Sequence, residues 1–541
     1  MTAIYLGMLL AAGVCAFAIA VAWKAQQGLH ITGYQSMAHY GEDTQLLQDK
    51  QELNRLGLEQ LLKRNGGGIS ALSASFNSMG LVGAAALLFG PALQHGGFSV
   101  VGFGLPILAL FYICVSAGLA ELSSAIPTAG SLSHAAKLFG GKRWALHTGW
   151  FHAAGNLCMT ALMIGGCAYL ADSIASWKWG YAPTWISFWS MVAIVAGSQA
   201  AFNYWGAKWK PWAGTVGLWL QLMTIALILG GLAWMFWPGT YSPAVLYQFQ
   251  GLGLEGGVEP GMYVTGLLLL MKLFLGMDGA ALQSEETVEP RVRTPWGIYL
   301  STSYTYIAAL VLLTFMALTA GIYMGGPQFS SSAIPGLQGD QLFIQGALSG
   351  WGGSGFVVLL VLASLWWSGL QAMAGSSRAL FSLGRDKLVP FAHAAVQVAP
   401  SGRSPHAALW FSAGFSVALL LAVQLFRPEG MFILLVAAAV VLLHLAYAIP
   451  LGLRLRQWRL EKRSRIHSRI GSGAAVFRDA PWHLGSWSKT IHVVALIWLA
   501  AGIVMVALFL DFIAIAVAGV LWIAAAAYGL AIRNKRGGVG K

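Results

Sequence analysis

The feature that most limits how this chain can fold is the recurrence of apolar segments long enough to cross a lipid bilayer. A helix of about 20 apolar residues spans the hydrocarbon core, and about thirteen such segments occur in the sequence. Only 9% of the 541 residues are charged, whereas a typical soluble protein carries about 25%. We therefore predict an all-α polytopic membrane protein embedded in the lipid bilayer. The predicted spans are residues 3–23, 70–94, 98–124, 145–172, 183–203, 211–237, 262–283, 297–323, 354–382, 407–426, 430–453, 490–510 and 511–532.

The net charge of +13 arises from basic residues that gather in alternate loops between these spans. The intervening loops contain almost no Lys or Arg, which is the positive-inside pattern. It predicts a multi-pass protein of the cytoplasmic (inner) membrane with its C-terminus in the cytoplasm, and an odd number of spans then places the N-terminus outside. Nucleic acid is not an expected partner, because no basic run lies on a soluble domain. The basic clusters lie within residues 50–64, 137–143, 208–210, 291–293, 378–387, 454–469 and 533–541.

Two elements are predicted ahead of the central helices. Residues 1–24 are expected to be an extra N-terminal transmembrane helix, because no Lys or Arg precedes the apolar run and no convincing cleavage site of a signal peptide precedes Trp23. Its apolar residues 3–23 are also a candidate docking surface for a membrane partner. In residues 25–69, leucines recur among charges, which predicts a cytoplasmic amphipathic helix at the membrane surface. A solvated linker is the alternative.

The sequence Gly276-Met277-Asp278-Gly279 interrupts one of the predicted spans. Glycine in a helix interior costs about 1 kcal/mol relative to alanine. A carboxylate at bilayer depth is costly as well, and such a group usually faces a cavity, an ion or a solute. The pattern therefore predicts a broken helix whose exposed backbone lines a polar site, as in many transporters.

A second span is interrupted by small and polar residues between residues 73 and 83, and four spans separate it from the first interruption. Paired broken helices in corresponding positions indicate an inverted-repeat transporter. The predicted repeats are residues 70–237 and 262–453, with five spans each. A basic cytoplasmic loop (454–489) and two last helices (490–532) follow. No phosphate-binding loop of an ATPase is present, so a gradient or exchange is the expected energy source.

An ordered set of short motifs resembles the amino acid–polyamine–organocation permeases, most closely their amino acid/choline branch. The similarity runs from about residue 45 to 532 and implies twelve core helices built from five-plus-five inverted repeats, plus the extra N-terminal helix. It also implies that substrate is held between the broken first and sixth core helices. The motifs are residues 121–130, Gly149-Trp150-Phe151, Asn203-Tyr204-Trp205-Gly206, residues 276–278 and 284–287, residues 377–381 and 384–390, Tyr447-Ala448-Ile449-Pro450 and Leu484-Gly485.

The candidate substrate site combines the two broken helices. Backbone groups of the first are expected to contact one end of the solute and Asp278 the other, unless Asp278 only caps N–H groups freed by the break. The family pattern has an aromatic residue where this chain has Met277. Trp367 is a candidate for cation–π contact with an ammonium group, and packing is its alternative role. The predicted substrate-binding residues are Ser78, Met79, Gly80, Gly83, Gly276, Met277, Asp278, Gly279 and Trp367.

Lys272 and Gln221 are the candidates for coupling. Lys272 precedes Asp278 by six residues in the same span, so it is expected to pair with Asp278, bind a substrate carboxylate, carry a proton or face a vestibule. Gln221 lies where several proton-coupled relatives have a lysine, but an amide cannot titrate, and a helix–helix hydrogen bond is its alternative role. His152 and Asn156 are interpreted as a buried polar pair, and a position facing the cavity is their alternative role.

These observations favour a secondary active transporter that moves an amino acid or another small amine-bearing solute by alternating access. It would use no cofactor, and proton or exchange coupling both remain open. An enzyme is not expected, because no His, Cys and Asp cluster has catalytic or metal-binding spacing. The alternative function is a non-transporting membrane subunit or sensor that keeps the permease fold and docks a partner through the extra N-terminal helix.

Overall fold

The structure is a computed structural model that describes residues 2–32, 42–205, 210–237, 242–249, 258–319, 354–399, 404–464, 477 and 479–537. Across these ranges the chain is helical, and its β-interaction is an isolated bridge between Gly66 and Thr287. The α-helices are α1 (Thr2–Ile31), α2 (Glu42–Arg55), α3 (Gly68–Met79), α4 (Leu81–Gly96), α5 (Leu105–Ala125), α6 (Ser131–Gly140), α7 (Lys142–Trp179), α8 (Trp185–Trp205), α9 (Lys210–Phe236), α10 (Pro260–Leu270), α11 (Gly279–Leu282), α12 (Pro290–Thr319), α13 (Ser354–Arg385), α14 (Ala392–Ala395), α15 (His406–Phe426), α16 (Met431–Ser464), α17 (Ser488–Phe509) and α18 (Ile513–Gly537).

Thirteen helical segments in the described ranges are long and apolar enough to cross a membrane. Two of them consist of two helices in succession: Gly68–Gly96, called here the first broken helix, and Pro260–Leu282, called the second broken helix. The predicted all-α polytopic fold is confirmed. Each broken helix is mostly buried within the protein, with 94% and 83% of its apolar window enclosed. The two interrupted segments therefore lie at the centre of the molecule.

The extra N-terminal helix α1 lies at the periphery, because only 17% of its apolar window is buried. It is attached to α12 through two tyrosine hydroxyls: Tyr299 donates to the Ala18 carbonyl (2.5 Å) and Tyr306 to the Ala11 carbonyl (3.3 Å). The remaining apolar surface of α1 faces outward, as expected for a helix whose solvent is lipid.

Several helices are longer than the apolar runs that predicted them. Helix α1 continues to Ile31, beyond the expected boundary at residue 24, and α16 continues to Ser464, well into the region 454–489 expected to be a loop. Hydrophobicity marks where a chain leaves the hydrocarbon, whereas backbone hydrogen bonding continues through polar residues that favour helices, such as Lys, Gln and Arg. Residues 33–41, part of the predicted amphipathic segment, lie outside the described ranges.

Candidate functional site

The first broken helix is interrupted at Gly80, which separates α3 from α4. Gly80 adopts a left-handed conformation (φ 61°, ψ 57°), which costs L-residues with a side chain about 1–2 kcal/mol. A Cβ atom at this position would also lie 2.9 Å from the Ser368 hydroxyl oxygen. The break therefore depends on glycine for both its backbone angle and its packing.

The second broken helix is interrupted over several residues. After α10 the chain forms a 3₁₀ turn, Met271–Phe274, becomes extended at Leu275, and resumes as α11 after Asp278. Gly276 has a φ of 92°, and a Cβ atom there would lie 2.9 Å from the Ser78 carbonyl oxygen. The structure thus brings the two predicted breaks together, backbone against backbone. We call this contact between Ser78 and Gly276 the junction.

Asp278 is the buried carboxylate of this junction, with 1% of its surface exposed. It accepts a hydrogen bond from the Tyr447 hydroxyl (2.6 Å) and pairs with Nε2 of His152. An ionised carboxylate only accepts hydrogen bonds, so Nε2 is the donor in that pair. A buried charge is tolerated when it is paired and hydrogen-bonded, and these two donors, from α16 and α7, provide that environment.

Lys272 is also fully buried, but it does not pair with Asp278. Its Nζ donates to the backbone carbonyl of Met79, the residue just before the break at Gly80. The expected alternative of a Lys272–Asp278 pair is therefore wrong for this conformation. The side-chain amino group instead connects the second broken helix to the interruption in the first.

Gln221 lies on α9 and Trp367 on α13, and each donates a hydrogen bond to a neighbouring helix. Gln221 donates to the side-chain carbonyl of Asn77 (2.7 Å), and Asn77 in turn donates to the Gly214 carbonyl (2.8 Å). The indole N–H of Trp367 donates to the Ala213 carbonyl on α9 (2.8 Å). In this conformation both side chains hold α9 in place against its neighbours.

A small cavity of about 40 Å³ adjoins the junction and is lined by Ala74, Trp367 and Gln371, among others. The Nε2 atom of Gln371 is buried there and has no hydrogen-bond partner within the described ranges. This volume holds only a few water molecules. The residues around the breaks are correspondingly enclosed, since Met79 and Met277 are each 0% exposed, and the conformation is closed around the junction.

Ion pairs close the end of the bundle that carries the basic loops. Glu285 accepts two hydrogen bonds from Arg385 (both 2.8 Å) and one from the Ala129 N–H (2.9 Å). Burial acts to raise the pKa of Glu285, but the Arg385 charge and the hydrogen bonds outweigh it and hold that pKa below its usual value. Next to it, Arg378 donates to both carboxylate oxygens of Glu286 (2.8 and 3.0 Å).

The segment before the first broken helix covers the backbone just after α11. Arg64 donates to the Thr287 carbonyl (2.6 Å), and the N–H groups of Asn65 and Gly66 both donate to the Glu286 carbonyl (3.0 and 2.9 Å). Carbonyls of a segment that has left the helix need such partners when buried. The contacts connect residues more than two hundred positions apart, and we call residues 42–66 the N-terminal latch.

Sequence reasoning missed the roles of His152 and Tyr447. Asn156 does bond His152, but to its backbone carbonyl (2.8 Å), which leaves the imidazole ring free to reach Asp278. The hydroxyl of Tyr447, within a long apolar run, was a usable signal, since a buried phenol needs a polar partner. The partner itself depends on how the helices pack.

Comparison with known proteins gives a consistent result. Residues 67–532 match the sequence model of a family described as amino acid permease. Among similar proteins, amino-acid permease BAT1 of Arabidopsis thaliana is 24% identical over 82% of this chain and 86% of its own length. The amino-acid permease BAT1 homolog of Oryza sativa subsp. japonica is 24% identical, with 83% and 85% covered. The branched-chain amino acid permease BcaP of Bacillus subtilis is 24% identical, with 63% and 69% covered.

Proposed function

This chain belongs to the amino acid permease family, and from that premise we propose that it is a secondary transporter of an amino acid or another small amine-bearing solute. The observation that carries the proposal is the contact between the two helix breaks, at Ser78 and Gly276, beside the buried carboxylate of Asp278. Broken helices meeting at the centre of a membrane protein are the usual construction of a solute site in secondary transporters.

The polarity of the half-helices assigns the two ends of the solute. The N-terminal end of a half-helix favours a carboxylate and the C-terminal end favours an ammonium group. Helix α4 begins at the first break, so its N-terminus, together with the backbone at Gly80 and Gly83, suits the substrate carboxylate. The backbone of Ser78 and Met79 at the C-terminus of α3, with Asp278, suits the ammonium group. Gly276, Met277 and Gly279 complete the wall opposite.

The small cavity beside the junction supports a path for the solute. Trp367 and Gln371 line it, and the unpartnered Nε2 of Gln371 offers a donor for a polar group of the solute. For transport by alternating access, this space must widen on one side of the membrane at a time. On the cytoplasmic side that requires parting of the Glu285–Arg385 and Glu286–Arg378 pairs and release of the N-terminal latch.

The candidates for coupling solute transport to protons or to exchange are the buried polar side chains near the breaks. Gln221 has an amide and cannot titrate, so we assign it to helix packing. Asp278 is the first coupling candidate, because a solute ammonium would give its buried carboxylate a new cationic partner. Lys272 remains the second coupling candidate.

We place the protein in the cytoplasmic membrane with the N-terminus outside and the C-terminus inside, following the positive-inside distribution of Lys and Arg. The two repeats are assigned to residues 70–237 and 262–453, and residues 490–532 form the last two helices. The extra helix α1 stays at the lipid-facing periphery.

A thermal-shift screen of the purified chain against amino acids, choline and polyamines, followed by uptake of the best ligand into proteoliposomes, tests the proposal. We expect saturable uptake, with binding weakened in Asp278→Asn. The matched control is Asp172→Asn, a second buried aspartate, which binds Tyr181 and Ser187 at the far end of α7, and it should leave affinity unchanged. Absence of any ligand and of uptake, together with a co-purifying partner, would instead support a non-transporting subunit.

A further inference from the structure

A separate cavity of about 310 Å³ opens on the face that carries the basic loops. It lies between the start of α7, the end of α18 and the residues that follow α13. None of the residues that line it belongs to either broken helix, so it is distinct from the proposed solute site. Its walls carry the basic residues Lys137, Lys142, Arg143 and Lys387.

The charge in this cavity is not balanced. Asp386 is the acidic residue in the lining, and its carboxylate is already occupied by Lys137 (3.1 Å) and His134 (2.8 Å). The side chains of Lys142, Arg143 and Lys387 are exposed and have no hydrogen bond or ion pair within the described ranges. Three uncompensated cations around one cavity form a site for an anion.

Lys387 is held in this cavity by an unusual backbone. Its φ of 58° is left-handed, and Glu289 is the other non-glycine residue with positive φ in the described ranges. The position ends α13: the Lys387 N–H donates to the Gly384 carbonyl (3.0 Å) and the Leu388 N–H to the Leu383 carbonyl (2.9 Å). Glycine is the unstrained residue for such a helix end. The chain nevertheless has lysine at this position, and Lys387 is part of the cavity lining.

The apolar part of the lining identifies the kind of anion. Leu146, Leu388 and Ile532 contribute carbon surface to the lining. Ile532 is also the last residue of the final membrane-crossing segment, Ile513–Ile532, which places the cavity at the boundary between hydrocarbon and water. A ligand at this level combines a negative head group with chains that continue into the bilayer.

We propose that this cavity binds an anionic phospholipid of the membrane. Its phosphate lies against Lys142, Arg143 and Lys387, and the beginning of its acyl chains lies on Leu146 and Ile532. Basic pockets between transmembrane helices recognise acidic head groups in this way. The lipid would then connect α7, which supplies His152 to the junction, with the last helix α18.

Native mass spectrometry of the full-length protein in detergent, titrated with phosphatidylglycerol or phosphatidylcholine, tests the proposal. We expect the wild-type chain to retain phosphatidylglycerol and to release phosphatidylcholine. Combined Lys142→Gln, Arg143→Gln and Lys387→Gln substitutions should weaken phosphatidylglycerol binding about tenfold or more. Equal retention of the two lipids by the wild type, or unchanged binding in the triple variant, would overturn the proposal.

A matched triple variant distinguishes lipid binding at this cavity from a general effect of surface charge. Lys50, Arg55 and Lys63 are exposed basic residues outside the cavity, and their substitution by Gln removes the same charge. Their loss should leave lipid binding unchanged, and an equal loss of binding would show a diffuse electrostatic effect and refute the cavity.

Two further measurements test the apolar part of the site. Gly529→Phe places a ring beside Leu146, whose nearest atom lies 3.0 Å from the position of an added Cβ, and fills the cavity without changing its charge. It should weaken phosphatidylglycerol binding in a protein that unfolds at the same temperature. Soluble glycerol 3-phosphate at equal concentration should not displace the lipid, and displacement would make the site one for a soluble anion instead.

Discussion

At the scale of single residues, the junction contains two buried ionisable side chains that have separate hydrogen-bond partners. Asp278 is paired with His152 and accepts from Tyr447, whereas Lys272 donates to the backbone of Met79. The sequence places Asp278 and Lys272 close together in one span, and mutual neutralisation is one of the expectations from that spacing. The packing of α7 and α16 against the break supplies better-placed donors to the carboxylate.

Double-mutant cycles distinguish these two arrangements. Asp278→Asn combined with His152→Gln should be non-additive, with an interaction free energy of about 0.5–3 kcal/mol, because the two side chains are in direct contact. Asp278→Asn combined with Lys272→Met should be additive within about 0.5 kcal/mol. The measurement is the free energy of unfolding of each purified variant in detergent. The assignment would be contradicted if the Asp278–Lys272 cycle were strongly non-additive and the Asp278–His152 cycle were additive.

At the scale of helices, the two breaks depend on glycines whose substitution has a definite steric consequence. Gly276 combines a positive φ with close approach to Ser78, and a Cβ at Gly279 would lie 2.6 Å from the Ala74 carbonyl oxygen. Because these glycines have no side chains, the half-helices can approach each other this closely. Their polar ends therefore face the same small space.

Gly276→Ala should therefore destabilise the protein by about 2–5 kcal/mol, the sum of left-handed strain and overpacking. Gly197→Ala is the control, since Gly197 lies inside α8 with nothing within 4 Å of an added Cβ. That change should be neutral or stabilise by up to about 1 kcal/mol, through helix propensity alone. Thermal unfolding of both variants provides the comparison, and equal melting temperatures would refute a steric requirement at Gly276.

The N-terminal latch contains a carboxyl group whose protonation is sensitive to docking. Asp49 accepts from the Glu289 N–H (3.0 Å) and lies 3.7 Å from Arg64. Burial raises the pKa of Asp49 to about 6, and the Arg64 charge opposes that rise without cancelling it. The docked latch therefore binds a proton more readily than the released latch, where the pKa returns to about 3.9.

By linkage, latch docking should weaken as pH rises from about 4 to about 6 and then stay constant. Hydrogen exchange of residues 42–66, corrected for the intrinsic effect of pH, measures this change. Asp49→Asn should remove the dependence, because an amide does not titrate in this range. Glu59→Gln, at an exposed position of the same segment, should preserve it. The prediction would be wrong if docking of the N-terminal latch became stronger as the pH rises.

At the scale of the whole molecule, thirteen segments of the described ranges are long and apolar enough to cross a membrane, and if all of them cross it, the two ends of the chain lie on opposite sides. The extra helix α1 makes this number odd, and it is hydrogen-bonded to α12 through the hydroxyls of Tyr299 and Tyr306. A helix that only lay on the membrane surface would not place hydroxyl contacts at Ala11 and Ala18 along its length.

Tags at the two termini test this topology. A tag before Thr2 should be accessible from outside the cell, and one after Lys541 only after the membrane is permeabilised. A tag inserted after Lys142, at the start of α7 among the basic residues, serves as the internal cytoplasmic control. Detection of both terminal tags on the same side would exclude thirteen crossings.

The sequence by itself determined that the chain is a multi-pass membrane protein, the number of its candidate spans and the two interruptions that contain Gly80 and Gly276. These properties depend on contiguous residues, because hydrocarbon thickness sets the length of an apolar run and glycine acts on its own turn of helix. Asp278 was found for the same reason, as a charge within a hydrophobic run. The precise helix ends were not found, since polar residues prolong α1 and α16 beyond the apolar runs.

Only the tertiary structure decided which groups these residues contact. Asp278 meets His152 and Tyr447 across 126 and 169 positions of the chain, and Lys272 reaches Met79 across 193. Asp278 and Lys272 each had several possible buried hydrogen-bond partners. The chemistry of those partners alone gave no reason to prefer one over another. The packing of α7, α16 and the two broken helices selects among them, because a hydrogen bond needs its two atoms within about 3 Å.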